Sequence, residues 1–439
     1  RLLCPQTASK RDDESKVGKW RGSLLTSLRL GGPHYVIPLY HPAFILRDWS
    51  ERDTNVFVLK KAFEEFDYWR KNGRLQPLPI RSLIVEPDFS TAFSYLTDLA
   101  DGSSPVSVDI ELLRRKIPYT IALAKSSSSA ISIGLWDYDM DHLLAVWRLL
   151  HKVLSTKRII GQNYTSFDAH WLNALGFLDS CLLVDDTRIR HNILWPELSH
   201  KLEFMVMQYT REPYYKDEGR GWSPREGKAK LMRYNAKDAA CTYEVFERQE
   251  EEFVERPELL KFYRNHEKPL AANMFNVERR GVSVDRRKLK GLKLYIQQEL
   301  VKSCVKIAKQ VGKAVAPDKK TAEILGSGTI NLGSPDQVLE MFKGLGLKVP
   351  RKRGTGKEST DEETLHLMYA DSGHPVLQEM LFVRELNKIG GTNVNAKLKD
   401  GCLYCVYIVG GTVGGRRSSH SNPLGYGSNH QNIPKHSKL

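Results

Sequence analysis

Residues 105–112, PVSVDIEL, place two carboxylates inside a run that otherwise reads as a buried β-strand. Alternate residues of a strand share a face, so Asp109 and Glu111 point one way while Val106, Val108, Ile110 and Leu112 point the other. A sheet edge facing water would accommodate two acids. The following segments YTIALAKS and AISIGLWD also read as strands, joined by a serine-rich turn, which puts the acidic strand inside a sheet. Two like charges on one sheet face repel unless a cation lies between them. A divalent metal is the physical remedy, and hard oxygen ligands select magnesium or manganese.

More acids must then reach the same spot from elsewhere in the chain. IIGQNYTSFDAHWLNALGF supplies a short apolar strand, then Asn163, then Asp168 opening a helix whose Trp171, Leu172 and Leu175 face inward. LMRYNAKDAACTYEVFERQ places Tyr234 and Asp238 four apart, on one face of a later helix. Each pattern alone is common, but their order along the chain is not.

D-x-E on a first strand, then N-x-x-x-F-D, then Y-x-x-x-D on a late helix resembles the three motifs of the DnaQ-like (DEDDy) exonucleases. The segment joining the second and third motifs, from DDTRIRHNILW to EPYYKDEG, is similar to the proofreading domain of family A DNA polymerases, phage-type ones especially. The resemblance implies an α/β, ribonuclease H-like exonuclease domain over 81–255, a mixed sheet flanked by helices. It makes Asp109, Glu111, Asp168 and Asp238 ligands of two divalent cations, Mg2+ or Mn2+, with Tyr234 orienting the attacking water and Asn163 nearer the substrate strand.

Charge agrees with a polyanionic partner. The 439 residues carry 66 Lys and Arg against 52 Asp and Glu, a net +14, which points to nucleic acid. The chain has no apolar run of about 18 residues and no leader pattern, so no membrane partner and a cytoplasmic setting in a bacterial or phage-infected cell are expected. Its six cysteines are scattered, which excludes a disulfide framework, and Cys402 with Cys405 lacks the second ligand pair of a zinc site. Oligomeric state is not legible.

Beyond residue 255 the pattern turns helical. Leu270, Met274 and Val277 share a face before Gly281, a helix stop; Asp285 then caps a helix with Leu289, Leu292, Ile296 and Leu300 inward. ERRGVSVD, INLGSPDQVLEMFKGLGL, STDEETLHLM (Thr360 and Glu363 as a capping box) and RELNKIGGTNV resemble the thumb of family A polymerases, a mainly helical region over 256–400 that grips primer–template DNA. Arg351, Lys352, Arg353 and Lys357 crowd one glycine-containing loop, suited to phosphate contact. GTVGGRRSSHSNPLGYGSNHQNIPK resembles the segment that opens the palm, which assigns primer–template contacts to Arg416, Gln431 and Asn432, although Gly414 and His430 depart from the family's Thr and Leu. Residues 401–439 contain no Asp or Glu, so this truncated palm start is expected to lack polymerase chemistry, and both chain ends read as cut.

The first 80 residues hold a strand, Tyr35–Leu39, delivering His41 and Pro42 to a loop. With Leu46 and Arg47 these resemble the H-P-x-x-x-L-R motif of family 4-like uracil-DNA glycosylases, in a partial α/β segment without that family's other motifs. The expected function is therefore a metal-dependent 3′-5′ exonuclease acting on single-stranded DNA 3′ ends and primer–template. The alternatives are an inactive DNA-binding module and a repair protein acting through the glycosylase-like segment.

Overall fold

The computed structural model describes residues 17–29, 31–177, 184–219, 222–351 and 356–432. They form two compact units, one of Arg1–Glu278 with Tyr407–Ser418, the other of Arg279–Val406 with Ser419–Leu439.

In the first unit a short helix α1 (Val17–Trp20) precedes the antiparallel pair β1 (Leu25–Ser27) and β2 (His34–Val36). The strand predicted to reach Leu39 ends at Val36, since Pro38 has no N–H to donate to a ladder. Helix α2 (Pro42–Ile45) follows, and then the 21-residue α3 (Arg52–Asn72), which ends at Gly73 in the left-handed region.

Helix α3 is amphipathic in an unusual sense. Its buried face carries Thr54, Asn55, Lys61 and Glu65 with Val58, whereas Val56, Leu59, Phe63, Phe66 and Trp69 are exposed. The polar face is buried because it is fully engaged. Lys61 Nζ donates to the carbonyls of Met207 (3.0 Å) and Thr210 (2.8 Å), and Arg211 grips Glu65 through two hydrogen bonds of 2.5 and 2.7 Å. Val58 packs with Leu198, Phe204 and Met207.

The main sheet comprises β3 (Ser82–Ile84), β4 (Val106–Leu113), β5 (Ile117–Ser126), β6 (Ser129–Gly134), β7 (Ile159–Gly161) and β8 (Val184–Asp186). Its spatial order is β3-β6-β5-β4-β7-β8. The central β4-β5-β6 meander is antiparallel, and β3, β7 and β8 add in parallel. The acidic strand β4 is therefore interior, flanked by β5 and β7. Interior strands of a covered sheet are apolar, and Val106, Val108, Ile110, Ile121, Leu123, Ile131 and Ile133 are each no more than 4 % exposed.

Helices α4 (Phe89–Asp101), α5 (Met140–Thr156), α6 (Asp168–Ala174), α7 (Thr187–Leu194), α8 (Leu202–Tyr209) and the 27-residue α9 (Lys228–Val254) complete this layer. Ala236, Ala239 and Ala240 of α9 meet Ala122, Ala124 and Ala130 of the sheet. Small residues on both sides let this helix lie close to the strands, so its side chains reach β4. The unit continues through α10 (Pro257–Phe262) and α11 (Lys268–Arg280), because Tyr263 and Ala271 pack against Ile189 of α7.

The second unit holds α12 (Arg286–Val311), α13 (Lys319–Leu325), α14 (Pro335–Gly344), α15 (Glu362–Ser372) and α16 (Pro375–Ile389). Two small pairs join them: β9 (Val282–Ser283) with β12 (Cys402–Leu403), and β10 (Val315–Ala316) with β11 (Ile330–Asn331). Ile307, Val338, Phe342, Leu365, Leu377 and Met380, none more than about 1 % exposed, centre its core. Asp285 caps α12 as expected. The capping box assigned to Thr360 and Glu363 is not formed. Asp361 is the N-cap, its carboxylate accepting from Thr364 N–H at 2.9 Å, because an Asp one residue later offers a stronger acceptor than the Thr hydroxyl.

Replacing Lys61 with Met should lower stability by about 2–4 kcal/mol, since two buried carbonyls at the end of α8 lose their donor. A reduced urea midpoint would register it. An unchanged midpoint would mean that α3 is not docked through its polar face.

Candidate active site

Three elements bring the sequence-predicted acids to one place. Asp109 and Glu111 lie on β4, and a β-bulge follows Glu111, a local twist often found beside functional sites. Asp168 is the first residue of α6, and Asp238 is on α9 one turn beyond Tyr234. Asp109, Glu111 and Asp238 each offer a carboxylate oxygen within 4.8 Å of the others. Asp168 stands beside this group with one oxygen accepting from Ile110 N–H of the same strand at 3.1 Å.

The backbone of β4 thus presents two side chains to the cluster and an N–H to a third acid. Asn235, fully buried on α9, ties the helix to the sheet. Its Nδ2 donates to Asp109 Oδ2 at 2.7 Å, while its Oδ1 accepts from Thr120 and Ser132, each at 2.9 Å. This fixes both the orientation of the amide and the rotamer of Asp109.

Asp238 is held at both oxygens. Tyr215 donates to Oδ1 at 2.6 Å, and Lys216 Nζ lies 2.6 Å from Oδ2 and 3.1 Å from the Tyr234 hydroxyl. Neither Tyr215, Lys216 nor Asn235 was singled out from sequence. Asn235 and its neighbour Tyr234 point to different sides of the helix, and YYKDEG has no spacing that marks it as part of a site. Asp186 was missed too: buried at the end of β8, it accepts from Asn163 N–H (3.0 Å) and Arg188 N–H (2.9 Å). Asn163 needs that anchor, because it sits in the left-handed region at φ 56°, which Asn tolerates better than most residues.

Electrostatics follow from crowding and burial. Burial, then the charges of Asp238, Asp168 and Glu111, hold the Asp109 carboxyl well above its usual range. Burial and Asp238 push Glu111 up to about 7, and burial raises Asp168 as well. The Tyr234 hydroxyl is also raised, by burial and then by the Asp238 charge, so it stays a donor at neutral pH. For Lys216, burial opposes the ammonium but the Asp238 charge outweighs it, and the pKa rises.

The remaining predicted contact residues have the following surroundings. His41 is exposed and caps α2, its Nδ1 accepting from Ala43 N–H at 3.1 Å, with Pro42 in the first turn. Arg351 and Arg416 are exposed; Gln431 N–H donates to Asn429 Oδ1 at 2.9 Å. Lys352, Arg353 and the Asn432 side chain lie outside the described residues. Cys241, Cys304, Cys402 and Cys405 form no disulfide.

Part of this chain matches known proteins. Residues 85–253 match the family described as 3′-5′ exonuclease. DNA polymerase I of Synechocystis sp. is 30 % identical over 267 residues, covering 57 % of this chain and 24 % of that protein. The thermostable DNA polymerase I of Thermus aquaticus is 29 % identical over 188 residues, 41 % of this chain and 20 % of the relative. DNA polymerase I of Helicobacter pylori (strain 26695) is 32 % identical over 181 residues, 40 % of this chain and 17 % of the relative. The chain thus spans a quarter or less of these curated relatives.

Among solved structures, the POL domain of Pol1 from M. smegmatis, in complex with DNA primer-template and dNTP, superposes with a TM-score of 0.57 at 20 % identity. The match covers 82 % of this chain and 57 % of that one, and it speaks to fold alone. Taken together, the matches support a family A polymerase exonuclease region in this chain.

In chelator, the raised carboxyls bind protons in the folded state that the unfolded chain has already released. Between about pH 4.5 and 7 the folded state holds more protons, so stability should fall as pH rises through that window. Thermal melts at pH 5 and pH 7.5 in EDTA would show it, and Glu111→Gln should shrink the difference. Identical pH dependence in the two proteins would remove Glu111 from the buried cluster.

Proposed function

We propose that the chain is the proofreading part of a family A DNA polymerase, a 3′-5′ exonuclease that removes nucleotides from DNA 3′ ends by two-metal-ion hydrolysis. The observation that carries this reading is the convergence of Asp109, Glu111 and Asp238 within 4.8 Å, with Asp168 alongside. All the donors are hard carboxylate oxygens, which suit Mg2+ or Mn2+, and the mutual repulsion that raises their pKa values is what dications would relieve. Asp109, Glu111, Asp168 and Asp238 would hold the ions. When bound, such ions lower the pKa of a water and neutralise charge developing on the leaving 3′ oxygen.

The chain's own groups do the positioning. The Tyr234 hydroxyl, kept protonated by burial and the Asp238 charge and 3.1 Å from Lys216 Nζ, would orient the attacking water. Tyr215 and Lys216 fix Asp238, and Asn235 fixes Asp109, so two of the acids are held in place before substrate arrives. Asn163, on the loop anchored by Asp186, would meet the substrate strand. The reaction as proposed requires no covalent nucleophile.

The wider reading divides the chain at 80, 255 and 400 into a glycosylase-like segment, the exonuclease, a thumb and the start of a palm. It gives Arg351, Lys352, Arg353, Arg416, Gln431 and Asn432 to primer–template contact, within replication in a bacterial or phage-infected cell. The bacterial sources of the relatives support that setting, and no helix among the described residues is long and apolar enough to cross a membrane.

Asp109→Ala or Asp238→Ala should reduce magnesium-dependent digestion of single-stranded DNA by several orders of magnitude. Tyr234→Phe should cost less, on the order of 10²-fold, the scale of one misdirected proton-transfer group. Near-normal digestion by either Ala variant would overturn the assigned site.

With matched and mismatched primer–templates, magnesium and all four deoxynucleotides, the 439-residue chain should shorten primers and never lengthen them. Mismatched ends should be trimmed faster, because a strand must unpair to reach the acids. Templated extension would overturn the reading that this chain lacks polymerase chemistry, and equal trimming of both ends would defeat the proofreading assignment.

A further inference from the structure

The unit built on α12–α16 contains a cavity of about 770 Å³ lined by none of the acids of the candidate active site. Its floor is apolar: Ile296 and Cys304 of α12, Val315 of β10 and Leu386 of α16 are all buried. Its rim is apolar as well, yet open to solvent. Val301, Val305 and Leu325 are 63 %, 48 % and 57 % exposed, although all three line the cavity. Aliphatic side chains around a concavity of this size are the signature of a docking groove, because scattered surface apolar residues do not surround a hollow.

Charge identifies the occupant. On α12 the groove-lining positions 293, 297, 300, 304 and 308 recur at helical spacing, and the same stripe extends back through Lys290 to Arg286. Arg286, Lys290 and Lys293 are exposed and make no ion pair among the described residues. Asp318, the acid that lines the groove, is occupied in capping α13. The lined part of α12, residues 293–308, is about 22 Å long at the helical rise, or four turns.

We infer that this groove binds an acidic amphipathic helix of a partner protein, whose apolar face enters between α12, α13 and α16 while its carboxylates meet Arg286, Lys290 and Lys293. Duplex DNA would satisfy the cations but would leave Val301, Val305 and Leu325 against water or phosphate, gaining nothing from the apolar floor. The inference does not depend on the exonuclease reading.

The test uses the whole chain and a fluorescein-labelled 16-residue helical peptide with Leu at i, i+4, i+7 and i+11 and Glu at most other positions. Anisotropy should show saturable binding that weakens with salt, and weakens about tenfold or more on Val301→Asp. A scrambled peptide of the same charge should bind about tenfold more weakly. The double variant K290E/K293E should lose the Glu peptide and gain one in which Lys replaces Glu, a reversal that misfolding cannot produce. Equal binding of the scrambled peptide, displacement by a DNA duplex, or a dimer abolished by Val301→Asp would each overturn the inference, in favour of a general charge effect, a nucleic-acid site and a second copy of the chain, respectively.

Discussion

The structure of the exonuclease unit turns on the cost of placing carboxylates on the inner part of a sheet. Each acid of the cluster loses water, and each repels its neighbours. What keeps the arrangement folded is that most of the acids have a named donor: Asn235 for Asp109, Ile110 N–H for Asp168, Tyr215 and Lys216 for Asp238. Around Glu111 a backbone hydrogen bond from Leu112 and the charge of Lys216 oppose the effect of burial, which holds its carboxyl at about 7. Because three of those donors come from α9 and the irregular segment before it, the close alanine packing of α9 on β5 and β6 is part of the site's chemistry. A bulkier residue at Ala236 or Ala239 would lift Asn235 and Asp238 away from β4 together.

That dependence explains what was legible in the sequence. The alternation in PVSVDIEL is local, so the strand and the shared face of Asp109 and Glu111 could be read directly, as could the one-turn spacing of Tyr234 and Asp238. The mixed character of the sheet was carried by resemblance alone and its strand order was not read at all, since hydrophobic pattern cannot say that β3, β7 and β8 join the meander in parallel. Lys216 and Tyr215 were invisible for a different reason. Their role comes from a connection about twenty residues upstream of Asp238 folding back onto it, and nothing in their immediate neighbours encodes that return.

The segment before the exonuclease shows where pattern reading misleads. A helix with Val56, Leu59, Phe63 and Phe66 at spacings of three and four would ordinarily be expected to bury that stripe. Here the opposite face is buried, because Lys61 and Glu65 find partners that an apolar surface could not supply: two helix-terminal carbonyls and a guanidinium. Burial is decided by whether polar groups are satisfied, and satisfied polar groups can win over an apolar stripe.

The same principle separates the two basic regions of the chain by what surrounds the charge. Near Asp238, Lys216 is enclosed, and its ammonium is spent on a carboxylate and a phenol. On α12, Arg286, Lys290 and Lys293 stand in solvent at the end of an aliphatic hollow. A net charge of +14 therefore has no single meaning. Part of it balances acids the fold has buried, and only the remainder acts outward. Of that remainder, Lys293 lines the same hollow as Val301 and Leu325, a surface that long-range attraction to phosphate does not explain. An apolar floor rewards a ligand only when aliphatic groups leave water, whereas phosphate contacts do not require a floor at all. Charge alone draws in any polyanion, but charge beside an exposed hollow selects one that also carries an apolar face.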